Sequence, residues 1–263
     1  PYQIPYCVMV PKQRQGILFP VGISSTHVAM CTVRMEPVWS SLGQAAGVAA
    51  ALAVNHELEL DKLSVSEIQD ELVRQGCVLF FYTDLPRDAP AFEAVQKLSL
   101  LGAVANNDPD RFHSDGPSAN LTDLNKKAYR FRPKELVTRS EFARMVVMGL
   151  QIPLSITAAH FSDVPRGHPA FQYIETLYDY STQSHNPFFD FKIHKETGES
   201  TRVLAYPDRE VTRAKAIEII SGLLRKKVQV WPKLDAALTR GEAAQLIYQQ
   251  KGREVRRGEL LGK

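Results

Sequence analysis

Two short apolar runs open the chain, Cys7 to Val10 and Ile17 to Val21, each bounded by Pro, Lys, Gln or Gly. Runs of that length between turn residues predict two buried strands. Gly22 to His27 reads as a polar turn. Pro37 precedes Ser40 and Ser41, a capped helix start, and the small residues from Gly43 through Gly47 to Ala51 carry the helix on to Leu52. Such a helix can pack very close to a sheet or a ligand. Ser64 and Glu67 have capping-box spacing, so a second helix is predicted with Leu63, Ile68, Leu72 and Val73 as its apolar stripe and Gly76 as its stop.

Beyond Gly76 the pattern becomes repetitive. Thr83 to Phe92 recurs as Ser162 to Phe171, with Asp84 and Asp163 offset by 79 residues. A second element, Thr-Arg before a helical apolar stripe, occurs three times, at Thr138, Thr212 and Thr239. Each threonine can cap the free N–H groups of the helix that follows, and each Asp-x-Pro predicts a capped helix start as well. Phe142, Met145, Val146 and Leu150 give the first stripe; Ile217, Ile220, Leu223 and Leu224 the second; Ala243, Leu246 and Ile247 the third. One unit is therefore an Asp-x-Pro helix, a loop and a Thr-Arg helix. Two units are complete, about 80–152 and 160–227, and a third, about 228–250, keeps only its second helix. The long polar stretches Asn106 to Lys134 and Ser181 to Asp208 are expected to be surface insertions.

Composition narrows the options. With 44% hydrophobic and 23% charged residues, the 263-residue chain belongs with folded globular proteins. A net charge of +3 argues against a nucleic-acid binder, and the basic stretches Arg225 to Lys227 and Arg253 to Arg257 read as solvated surface. Cys7, Cys31 and Cys77 form no CxxC pair and read as three small buried hydrophobes. The longest apolar stretch, Ala45 to Val54, falls short of the roughly 18 residues of a membrane span, so none is expected. The opening Pro1 to Tyr6, without an initiator Met, reads as the middle of a longer polypeptide or a mature product. No metal-ligand spacing, nucleophile elbow or P-loop is present, and Gly-x-Gly-x-x-Gly is missing too.

The repeats resemble S-layer homology repeats over roughly residues 80–250. Phe161 to Phe171, Tyr206-Pro207-Asp208 and the three Thr-Arg elements carry the resemblance. It implies a pseudo-threefold helical bundle that binds cell-wall polysaccharide in grooves between units, at the cell envelope or secreted. Arg139, Arg213 and Arg240 would contact an anionic sugar substituent. The alternative is that these arginines only pair with neighbouring carboxylates. Lys215 departs from the pattern, standing where an acidic residue is usual.

Residues 1–79 resemble the C-terminal part of FAD-dependent oxidoreductases of the glutathione-reductase and fumarate-reductase type. Ile4-Pro5-Tyr6, Ser24 to Ala29, Val33 to Pro37 and Leu42 to Ala51 carry this resemblance. It implies that Ser24, Ser25 and Thr26 lie along the flavin, that Gly43, Gln44 and Gly47 line its close approach, and that His27 and Arg34 are the polar groups nearest a substrate, His27 as acid or base and Arg34 as anion holder. FAD would be held only together with an N-terminal flavoprotein part, in cis or in trans, because the chain has no pyrophosphate-seating glycine loop. The expected fold is α+β: a small strand-helix segment over 1–79, then a mainly α-helical repeat bundle over 80–263. The expected function is the C-terminal portion of an FAD-dependent oxidoreductase carrying a glycan-binding module. The alternative is a non-catalytic surface-anchoring protein with a flavin-fold remnant.

Overall fold

In the computed structural model, residues 3–104, 130–155, 158–183, 193–194, 202–228 and 231–250 are described. Two compact units form, Pro1–Phe81 and Tyr82–Lys263.

The front unit is helical. After a 3-10 turn at Tyr6–Met9 come α1 (His27–Val33), α2 (Glu36–His56), a second 3-10 turn at Leu60–Lys62, and α3 (Val65–Arg74). This overturns the α+β expectation: no strand forms among the described residues of this unit, and the only strand pair described anywhere is Ile193–His194 with Arg202–Val203. The local reason is proline. Pro5 opens the turn, and Val8 N–H to the Pro5 carbonyl (3.2 Å) and Val10 N–H to Cys7 (3.2 Å) close it. Ile17 to Val21 meets the turn through one bond, Phe19 N–H to the Met9 carbonyl at 2.9 Å. Gly16 at φ 71° and Pro20 keep that contact from extending into a ladder.

Helix α2 begins at Glu36, at least five residues earlier than a serine cap would set it. Pro37 sits in its first turn, where a missing N–H costs nothing, and Ser40 and Ser41 bond back to the carbonyls of Glu36 (3.0 Å) and Pro37 (2.9 Å). At 21 residues and a hydropathy of 1.3, α2 is long and apolar enough to cross a membrane by length and composition. One stripe of it, Val48, Ala49 and Ala53, is buried with Leu60, Leu63, Ile68 and Leu72 in a core shared with α3. The Ser64 side chain makes no cap bond, contrary to the capping-box spacing. The stop is as the sequence indicates: Gly76 at φ 79° lets Cys77 N–H reach the Leu72 carbonyl (2.9 Å) and Gly76 N–H reach Val73 (2.8 Å).

The second unit holds α4 (Phe92–Leu100), α5 (Arg139–Gly149), α6 (Phe171–Gln183), α7 (Arg213–Leu224) and α8 (Arg240–Tyr248). Thr138, Thr212 and Thr239 cap α5, α7 and α8 with their hydroxyls, as their positions predict. The segments before these helices form a closed three-membered ring. Val137 N–H donates to Leu238 (2.9 Å), Leu238 N–H to Val211 (2.8 Å), and Val211 N–H back to Val137 (3.1 Å). All three side chains are buried. Each segment starts at a left-handed residue six positions before its threonine: Arg132, Tyr206 and Lys233. Around the ring α4 packs on α8, α8 on α5, and α5 on α6.

Asp84 and Asp163 do not cap helices. α4 and α6 start only at Phe92 and Phe171, after two successive turns: Ala89 N–H to Pro86 and Phe92 N–H to Ala89, repeated as His168 to Pro165 and Phe171 to His168. Instead the Asp84 carboxylate accepts from Phe131 and Arg132 N–H, both at 2.8 Å, and Asp163 from Ala205 (2.9 Å) and Tyr206 (2.7 Å). Each aspartate thus pins the left-handed turn that precedes its own unit's Thr-Arg helix. Most of the two long polar stretches, and Arg253 to Arg257, lie outside the described residues.

Candidate functional site

Two surfaces hold the residues singled out by the sequence, one in each unit. In the front unit Ser24, Ser25, Thr26 and His27 are exposed where the chain enters α1. The Thr26 hydroxyl is engaged, accepting from Ala29 N–H at 3.2 Å as the cap of α1. Arg34 ends the same helix and is also exposed. Seven residues of helix turn nearly two full circles and rise about 10 Å, so His27 and Arg34 share one face at opposite ends. They can flank a ligand laid along that face. Among the described residues no ion pair ties Arg34 to Glu36 or to any other carboxylate.

Gly43 and Gly47 lie one turn apart on α2, and a Cβ added at either would meet nothing within 4 Å. Their spacing is therefore not explained by tight packing inside the unit. Gln44 reaches across to Gln75 on α3, Nε2 to Oε1 at 3.3 Å.

In the second unit the three Thr-Arg arginines have equivalent structural roles. Each binds a carbonyl in the left-handed turn of the next unit: Arg139 NH1 to Ala205 (2.9 Å), Arg213 NH1 to Pro232 (3.0 Å) and Arg240 Nε to Phe131 (2.8 Å). Arg139 and Arg240 are buried. Arg213 pairs with Glu242 at 2.6 Å and Arg240 with Glu141. Both glutamates also complete capping boxes, accepting from the N–H groups of Thr239 and Thr138. Burial on its own would raise the Glu242 pKa, but the bonds from Arg213 and Thr239 outweigh it and hold the carboxyl below the usual range. A depressed folded-state pKa means that this contribution is complete above the unfolded value of about 4.3 and is lost as pH falls through the folded one. Glu242→Gln is therefore expected to flatten the acid side of the stability-pH profile, measured by urea midpoints at descending pH. An unchanged acid limb would count against the pair.

Beside this network lies a cavity of about 170 Å³, lined by Ser140, Glu141, Arg144, His168, Tyr173 and Asp208 among others, with Arg240 at its wall. Arg144 is held in place by its Nε bond to the Gly102 carbonyl (3.0 Å) and stands 5.6 Å over the Tyr173 ring. Balanced charges beside an aromatic face suit a polyhydroxylated ligand. Sequence reasoning did not single out Arg144 or Tyr173. The signal was limited to helical spacing: Arg144 falls beside the apolar stripe of α5, five residues after Arg139.

Residues 1–72 match the family of FAD dependent oxidoreductases. No curated protein matches the chain. The match covers α1, α2 and most of α3, so the surface around α1 and the open glycine face of α2 both belong to the flavoprotein-like segment. A flavin fits that surface in part. The backbone at Gly43 and Gly47 is open to approach, since a Cβ at either meets nothing within 4 Å, and exposed Ser24, Ser25, His27 and Arg34 offer polar contacts. The sequence holds no Gly-x-Gly-x-x-Gly, the element that would seat the pyrophosphate at a helix N-terminus. Bound flavin would supply hydride or electron transfer. The flavoprotein-like residues would supply orientation and charge: Arg34 toward an anionic group, His27 toward a proton.

Proposed function

We propose that the front unit is the C-terminal lobe of an FAD-dependent oxidoreductase, completed by a nucleotide-binding part in cis or in trans. The helical unit would be an S-layer-homology-like bundle that holds the enzyme at the cell envelope through polysaccharide. The observation that carries the redox reading is the match over residues 1–72 together with the unfilled glycine face of α2. An exposed helix that keeps two glycines gives up about 1 kcal/mol at each relative to alanine, a cost that a closely approaching partner explains. Exposed apolar residues in the same unit, Ile17, Phe19, Val21, Val28, Met35 and Val54, support a surface meant to be covered.

The ring of three Thr-Arg segments and the cavity beside Tyr173 support the polysaccharide reading. Removing Arg139, Arg213 or Arg240 tests it poorly, since each holds the ring together. Asp208 is exposed on the rim of the cavity, and Asp208→Ala should leave the fold intact. Its expected effect is a loss of retention on cell-wall polysaccharide of about ten-fold, corresponding to roughly 1.4 kcal/mol. Unchanged retention in a cosedimentation assay would remove the cavity from the anchoring role, and the non-catalytic anchor would lose its support as well.

A further inference from the structure

At the sixth residue after each capping threonine stand Arg144, Glu218 and Gln245. Two of these engage their polar ends within the unit. Glu218 pairs with Lys215 at 3.1 Å, and the Gln245 amide donates to the Pro90 carbonyl at 2.8 Å. Arg144 differs. Its Nε donates to the Gly102 carbonyl at 3.0 Å, and its guanidinium stands 5.6 Å over the Tyr173 ring. That bond uses only one of its N–H groups, and among the described residues no carboxylate pairs with it.

This half-buried guanidinium lines the cavity of about 170 Å³. Asp208 lies exposed at the rim of the same cavity, and among the described residues it forms no ion pair either. The other two charges of the lining, Arg240 and Glu141, are paired with each other. A cation in the wall and an anion at the rim therefore face one space without pairing. Ala103, Val104 and Met145 give the cavity an apolar wall. His168 adds a donor: its Nδ1 accepts from Ala170 N–H at 3.1 Å, so the neutral ring carries its proton on Nε2.

We propose that this cavity binds the head group of an α-amino acid, its carboxylate on Arg144 and its ammonium on Asp208. A guanidinium fork takes a carboxylate through two parallel charge-assisted bonds. A hydroxyl can hydrogen-bond to either charge but neutralises neither. A plain carboxylate answers Arg144 alone and a plain amine Asp208 alone, whereas a dipolar group answers both. The volume is well below the roughly 300 Å³ at which pockets for drug-sized ligands begin, which suits a side chain as small as that of alanine. The inference rests on the polysaccharide reading only for the source of the group, an amino-acid substituent carried by the wall polymer.

The test is the thermal midpoint of the full chain with alanine, against acetate and against methylammonium at equal ionic strength. Alanine is expected to give a saturable rise of about 3 °C, as for a ligand that binds only the folded state, and the other two much less. Asp208→Asn, a change at an exposed rim residue, should keep the wild-type midpoint and cut the alanine response to that of acetate. Arg144→Gln should abolish the response; if that variant does not fold, the Asp208 variant decides alone. The proposal is overturned if alanine has no effect, if acetate or methylammonium matches it, or if Asp208→Asn responds like the wild type. Alanine should also release the chain from cell-wall polysaccharide. A midpoint response without that competition leaves the site standing for a free amino acid and removes the cavity from anchoring. Retention without any alanine response sinks the site and leaves the anchoring function standing.

Discussion

Arg240→Ala is expected to destabilise the helical unit by about 3 kcal/mol, the usual cost of leaving one member of a buried pair uncompensated. Arg240 is 9% exposed, donates Nε to the Phe131 carbonyl at 2.8 Å, pairs with Glu141 and stacks 5.2 Å from the Phe131 ring. Its loss also strands Glu141, which must go on capping Thr138 without its counter-charge. Arg240→Lys keeps the charge but not the planar fork that serves a carbonyl and a carboxylate together, so it should recover less than half of the loss. Urea denaturation followed by circular dichroism measures both. A cost below about 1 kcal/mol for the alanine variant would mean that the pair is no more than a screened surface contact. Either way, weakened glycan binding in an Arg240 variant has to be separated from partial unfolding.

The second large effect concerns α2. Gly43→Leu with Gly47→Leu puts side chains into open space, since nothing lies within 4 Å of either Cβ. Helix propensity favours the change by roughly 0.5–1 kcal/mol per site, so the midpoint of the front unit should hold or rise. Flavin content of the intact polypeptide should nevertheless fall at least ten-fold, because the backbone can no longer approach the ring. Stability and flavin content moving in opposite directions is a signature that a purely structural role for these glycines does not produce. Normal flavin content in the double variant would place the cofactor elsewhere.

How much of this was legible in the sequence depended on the range of the interactions involved. The Thr-Arg helices were readable because capping is local: Thr138, Thr212 and Thr239 each bond three residues ahead. The Gly76 stop was readable for the same reason. Asp84 and Asp163 were misread because a local rule, Asp before Pro as a helix cap, yields to backbone donors 47 and 42 residues away. The ring through Val137, Val211 and Leu238 also joins distant segments, and apolar spacing does not encode which segment meets which. In the front unit the four residues Cys7 to Val10 fit a strand or a 3-10 turn equally well by periodicity, and Pro5 decided for the turn. The expectation that Ser24 to His27, Arg34 and the two glycines face a flavin came from the family resemblance and not from any local pattern. What sequence could not show was that the glycine face is open and that His27 and Arg34 stand at opposite ends of one short helix.

The most direct measurement is a visible absorption spectrum of the intact polypeptide carrying this sequence, purified from its source, with its mass determined on the same sample. The account predicts flavin bands near roughly 370 and 450 nm at one equivalent per chain. A colourless protein of full mass that takes up no FAD would contradict it and leave the front unit as a folded remnant on an anchoring module.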